Sequence, residues 1–169
     1  MRAVHPDTGE FAEYKTLRTS SEGPRWQQAF SKEIGNLFQG SKYCDKPMNA
    51  CQFIPASEVP KGAEVTYARI VADYREQKAD PYRIRITAGG NLLSYPEDTG
   101  TRTCDLVTVK CLINKVLSTP GAKFMCIDLH SFYLNMSLKY ARYMQVRMAD
   151  MPPDIQEWYK LHELKTKDD

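Results

Sequence analysis

Apolar residues return at helical spacing from Trp26 through Ala29, Phe30, Ile34, Leu37 and Phe38, with Pro24 ahead of them and Gly40 behind. Proline suits a first helical turn, where its missing N–H is not needed, and glycine suits the residue after a helix. The pattern predicts an amphipathic helix whose aromatic stripe packs into a core. Phe53 to Val59 is short, apolar and broken by Pro55, with Pro60 next, so it reads as an edge strand or an extended connection. Val65 to Tyr74 and Tyr82 to Thr87 are strand-like runs around the polar turn Glu76-Gln77-Lys78-Ala79-Asp80-Pro81, and they predict an antiparallel hairpin.

Gly89-Gly90-Asn91 ends the hairpin, and Ser94-Tyr95-Pro96-Glu97-Asp98-Thr99-Gly100 has loop chemistry. Thr103 stands where it would cap a helix carrying Leu106, Val109, Leu112, Ile113, Val116 and Leu117 on one side, stopped by Pro120 and Gly121. An apolar strand is expected from Phe124 to Asp128, then a short helix near Phe132 to Leu138, then a strand from Tyr143 to Met148. Pro152 and Pro153 open a last helix with Ile155, Trp158 and Leu161 inward. Residues 1–22 carry turn signals at His5-Pro6-Asp7-Thr8-Gly9-Glu10 and Thr19-Ser20-Ser21-Glu22-Gly23 and read as linker, and residues 165–169 as a polar tail. Together these elements predict an α+β fold, with helices against a small antiparallel sheet.

Length and composition narrow the picture. At 169 residues the chain can build one domain with a real core, or a piece of something larger. The net charge is only +2, so any basic surface must come from clustering. No run of 18 apolar residues predicts a membrane span, and the first twenty residues lack the apolar core of a signal peptide, which points to an intracellular protein. Cys44, Cys51, Cys104, Cys111 and Cys126 form no Cys-x-x-Cys spacing and read as reduced thiols, with Cys104 and Cys111 expected in the core and zinc not expected. His5 and His162 carry no signal above surface residues.

Two places carry chemistry. Arg83 and Arg85 alternate with Ile84 and Ile86, so both guanidinium groups leave one face of a strand, with Arg69 and Arg75 nearby. Such a face either binds anions or is simply solvated. The second place is Asp128, which closes the apolar run Phe124-Met125-Cys126-Ile127. A carboxylate beside a core needs a cation or donors. Mg²⁺, held by one or two carboxylates plus substrate phosphates, is the simplest cation, and an N-cap role toward His130 or Ser131 is the alternative.

Asp128-Leu129-His130-Ser131-Phe132-Tyr133-Leu134-Asn135 resembles the first catalytic motif of copia-type retrotransposon reverse transcriptases, which are RNA-directed DNA polymerases. Trp26 through Gly40 resembles the helix ahead of that family's fingers, Thr66-Tyr67-Ala68-Arg69-Ile70-Val71 its first fingers strand, and Arg83-Ile84-Arg85 its Lys-x-Arg pair. The resemblance runs in the family's order from about His5 to Leu164, and it implies part of a right-hand polymerase fold over residues 23–164: a fingers hairpin and an incomplete palm sheet. It further implies that Asp128 is the catalytic, metal-holding carboxylate and that the Leu129 carbonyl is an added metal ligand. By the same resemblance Tyr133 packs under the nucleotide sugar, and Arg83 and Arg85 meet the triphosphate. Mg²⁺, RNA or DNA template–primer, deoxynucleoside triphosphates and the remainder of the polymerase polypeptide are the implied partners, with no membrane.

The departures also matter. Arg83 replaces a lysine, Ser131 stands where an acid or other polar residue is usual, and His130 where lysine is common. The family's second motif, an aromatic-x-Asp-Asp turn between apolar strands, does not occur, and Asp168-Asp169 lacks the strand before it. The isolated chain is therefore expected to be inactive as a polymerase. A non-catalytic nucleic-acid-binding module and an inert, decayed element copy are the competing readings, whereas a phosphate loop is disfavoured because Gly89-Gly90 lacks the spaced glycines and following Lys.

Overall fold

A computed structural model describes residues 3–94, 100, 103–129 and 131–164; the expected tail 165–169, most of the 94–100 loop and His130 lie outside the described residues. In chain order the elements are α1 (Tyr14–Leu17), α2 (Gly23–Leu37), β1 (Val65–Tyr74), β2 (Tyr82–Ala88), α3 (Leu106–Ser118), β3 (Tyr143–Gln145) and α4 (Pro153–Trp158). They divide into two units, residues 1–94 with 134–169, and residues 95–133. The fold class is α+β. No helix among the described residues is long and apolar enough to cross a membrane.

In the first unit the expected amphipathic helix forms as α2, with Pro24 in its first turn. Trp26, Phe30, Ile34 and Phe38 are buried, and Gly40 follows with φ +100°, the left-handed conformation that favours glycine at a helix end. The expected hairpin forms as well. β1 and β2 pair antiparallel with Tyr74 opposite Tyr82, Ala72 opposite Ile84 and Ile70 opposite Ile86, and all of these but the exposed Tyr74 belong to the inner, core-packed face. Trp26 meets Tyr82 edge-on at 5.0 Å between ring centroids.

The sheet is not wholly antiparallel as expected. Its order is β2-β1-β3, and β3 runs parallel to β1, with Val65 opposite Tyr143. A parallel pair needs a long crossover, and the chain between β2 and β3 is far longer than the dozen residues required. β3 is also shorter than expected, because Met148–Asp150 turns into a 3₁₀ helix.

Within residues 3–22, read as linker from the sequence, most of residues 4–13 are exposed, but three side chains enter the core. Tyr14 and Leu17 are three apart, share one face of the short α1, and are buried with Ala3 in the main core. The Tyr14 ring meets Phe30 edge-on at 4.8 Å. Phe53 forms no strand but stacks on Phe38 at 4.1 Å, and Ala56–Glu58 is a 3₁₀ turn. In α4, Ile155 is buried as expected, whereas Trp158 faces outward. The helix is only six residues long, and Lys160 at φ +49° turns the chain so that Leu161 enters the core while Tyr159, not Trp158, packs against it.

The second unit differs most from expectation. α3 forms, but its N-cap is Asp105, whose carboxylate accepts the Thr108 N–H at 2.8 Å, rather than Thr103. Every described residue from 103 to 129 is exposed except the half-buried Val116, so Cys104 and Cys111 are surface thiols and not core. Phe124 to Asp128 has no regular secondary structure and belongs to no strand, and residues 123–129 make no backbone hydrogen bond among the described residues. A central strand exists only where neighbours satisfy its N–H and C=O groups, and none is supplied here among the described residues. The short helix expected near Phe132 is a 3₁₀ turn over Phe132–Asn135.

Candidate functional site

The hairpin register collects the arginines. Arg83 and Arg85 leave β2 on the face opposite Ile84, and the partners across the ladder are Asp73 for Arg83, Val71 for Arg85 and Arg69 for Thr87. Directly opposed residues share a face, so Arg69, Arg83 and Arg85 stand together on the outer side of the sheet. Arg75 joins them from the turn, its Nε donating to Asp73 Oδ2 at 3.1 Å. Four guanidinium groups and one carboxylate thus occupy one face of two strands, while the other face builds the core.

The electrostatics are those of a crowded cationic site. Burial, then the nearby Arg85 and Arg75, lower the pKa of Arg83 from the ordinary guanidinium value. Like charges held at this spacing repel, and an arriving anion relieves that repulsion. From α2, half-buried Glu33 lies near the same strand edge, where burial raises its carboxyl pKa and the fields of Arg83 and Arg85 partly offset that rise. Arg85 is exposed, so its planar fork of donors is available to a phosphate.

An open cleft of about 420 Å³ lies between α2 and the hairpin turn, lined by Arg25, Gln28, Lys32, Tyr43, Asp80 and Tyr82 among others. Its charges are already matched. Lys32 pairs with Asp80 at 2.6 Å, and Tyr82 accepts from Arg25 at 3.0 Å while donating to Glu22 at 2.7 Å. The cleft ties the hairpin to the helix and leaves the arginine face as the less neutralised surface.

Asp128, Leu129 and Tyr133 belong to the second unit, Arg83 and Arg85 to the first. Asp128 is exposed in a segment without regular structure, and the Tyr133 ring is 73% exposed and meets Phe132 edge-on at 5.5 Å. Ser131 takes φ +52° ahead of the Phe132–Asn135 turn, and a cap from Asp128 toward His130 lies outside the described residues. As a donor set for Mg²⁺ the segment offers one carboxylate and one backbone carbonyl, and no group of three metal-ligating side chains forms among the described residues. That set falls short of what two closely spaced metal ions require.

Asp73 and Glu33 are the members that sequence patterning did not single out. Asp73 was findable by writing out the ladder, since a turn at residues 76–81 fixes its place opposite Arg83. Glu33 left no signal, because only the docking of α2 on β2 brings it to the arginines. A comparison of the chain with protein-family profiles, curated proteins and solved structures found no match.

Proposed function

We propose that the chain is the fingers and first palm segment of a retroelement reverse transcriptase, that it binds the phosphates of template–primer and incoming nucleotide through its hairpin, and that it does not polymerise by itself. The observation that carries this reading is the single cationic face on which Arg69, Arg75, Arg83 and Arg85 gather, because nucleotidyl transfer needs cations on the triphosphate. Arg85 is the residue assigned to the triphosphate, with Arg83 beside it. The order of the motifs, from the Trp26 helix through the hairpin to Asp128 and Tyr133, supports the same reading. In it the fold is a partial right hand, with the hairpin as fingers and residues 124–145 as an incomplete palm.

Catalysis is the missing part. A lone Asp128 offsets little of the charge of two metal ions, and losing such stabilisation raises a barrier by several kcal/mol, roughly a thousandfold or more in rate. Labelled primer–template should bind the chain with an affinity that falls steeply with salt, and Arg85→Ala should weaken it at every sequence. Primer extension with Mg²⁺ should be undetectable. Binding that is absent or indifferent to salt, or extension abolished by Asp128→Asn, would sink the proposal.

A second reading, a nucleic-acid-binding module with no link to polymerisation, is favoured by the exposed setting of Asp128. The two part company over the incoming nucleotide. Only the first expects a deoxynucleoside triphosphate that matches the next template base to tighten the primer–template complex.

A further inference from the structure

Asp73 is the one acidic side chain on the outer face of the hairpin ladder. It stands directly opposite Arg83, and its Oδ2 accepts from Arg75 Nε at 3.1 Å. The carboxylate side chain is only 15% exposed and Arg75 34%, so the pair is less screened by water than the other ion pairs of the hairpin, such as Lys32 with Asp80, which lie more than half in solvent. A shielded carboxylate among guanidinium groups does two things. It lowers their mutual repulsion in the free protein, and it occupies donors that a phosphate oxygen would otherwise take.

We propose that Asp73 is a resident counter-anion of the arginine face, a built-in competitor that an incoming phosphate group must displace from Arg75, beside its ladder partner Arg83. This rests on the reading that the face binds nucleotide or nucleic-acid phosphates, and it adds a residue that limits that affinity. Burial and the neighbouring Arg85 and Arg75 guanidiniums disfavour the charged form of Arg83, and an anion placed beside it offsets that. With Asp73 in place a single weakly charged anion gains little by entering. A polyphosphate or a nucleic-acid backbone brings several oxygens at once, and can replace the carboxylate on Arg75 while also meeting Arg83. The face therefore discriminates by anion charge.

The test uses the full chain, titrated with inorganic phosphate, with tripolyphosphate and with a labelled single-stranded oligonucleotide at fixed salt. Asp73→Asn should bind tripolyphosphate about three- to tenfold more tightly than the wild type and gain more for inorganic phosphate, which narrows the preference for polyphosphate. Asp80→Asn makes the same change in net charge on the same hairpin, next to Lys32, and should shift the affinity less than twofold. Equal effects of the two substitutions, or weaker binding by Asp73→Asn, overturn the proposal, since the carboxylate then acts through net charge or by holding the arginines in place. Asp73→Ser repeats the measurement with a smaller neutral side chain. If neither variant unfolds cooperatively, the carboxylate is a structural requirement of the hairpin and the proposal fails. Arg85→Ala separates this inference from the reading beneath it. If that substitution leaves tripolyphosphate affinity unchanged, the arginine face is not the anion site and both fall. If it weakens binding while Asp73→Asn does nothing, only the role of Asp73 is lost.

Discussion

The indole of Trp26 meets the ring of Tyr82 edge-on, centroids 5.0 Å apart, and this contact joins the long helix to the first residue of the arginine-bearing strand. Tyr82 in turn holds Arg25 and Glu22 through its hydroxyl. Trp26→Ala is expected to cost about 3–5 kcal/mol, the range for emptying a buried aromatic site, and to loosen the strand that carries Arg83 and Arg85. Urea unfolding measures the first effect. Faster amide exchange in β2 than in the helix reports the second.

Gly35 is a case where two effects of opposite sign can be weighed. Alanine in place of a mid-helix glycine gains up to about 1 kcal/mol of helix propensity. The added Cβ at Gly35, however, would lie 2.9 Å from Cys44 Cβ and closer still to the Ser41 side chain, in a tight loop closed by mutual Ser41–Cys44 backbone hydrogen bonds at 3.0 Å. Overpacking of this kind costs typically about 1–3 kcal/mol. The clash wins, and Gly35→Ala should lower the denaturation midpoint despite its better helix propensity.

Glu33 gives a pH signature. Its carboxyl pKa is raised in the folded protein by burial, an effect only partly offset by Arg83 and Arg85, so the folded state prefers it protonated. Its contribution to stability is then present below the ordinary carboxylate pKa and is lost as pH rises through the folded value. Glu33→Gln, neutral at every pH, should melt above the wild type at pH 7 and coincide with it near pH 4. A gap that persists in acid would assign the effect to packing instead.

Ile155 and Ile113 look alike in the sequence, each on the apolar side of an amphipathic pattern. Ile155 is 0% exposed and Ile113 is 43% exposed. Ile155→Ala should cost about 2–5 kcal/mol, and Ile113→Ala well under 1 kcal/mol. Comparable losses in thermal or denaturant unfolding would mean that α3 has a packed face after all.

The sequence by itself determined the elements whose stability is mostly local or whose pattern names its partner. The Trp26 helix was legible because its aromatic stripe, its proline and Gly40 agree, and the hairpin because two strand-like runs flank one polar turn. The alternation of Arg83 and Arg85 with Ile84 likewise fixed which side chains leave the core. The burial of Tyr14 and Leu17, the parallel docking of Tyr143–Gln145 on β1, and the outward face of Trp158 were decided only by tertiary structure. In each of these the apolar pattern is too short to choose between solvent and core without a partner surface. Phe124 to Asp128 is the sharpest example. Its residues suit a central strand, but a strand exists only when neighbouring backbones take its hydrogen bonds, and in this fold those neighbours are absent among the described residues, so the carboxylate that the pattern sends to a strand end stands in the open.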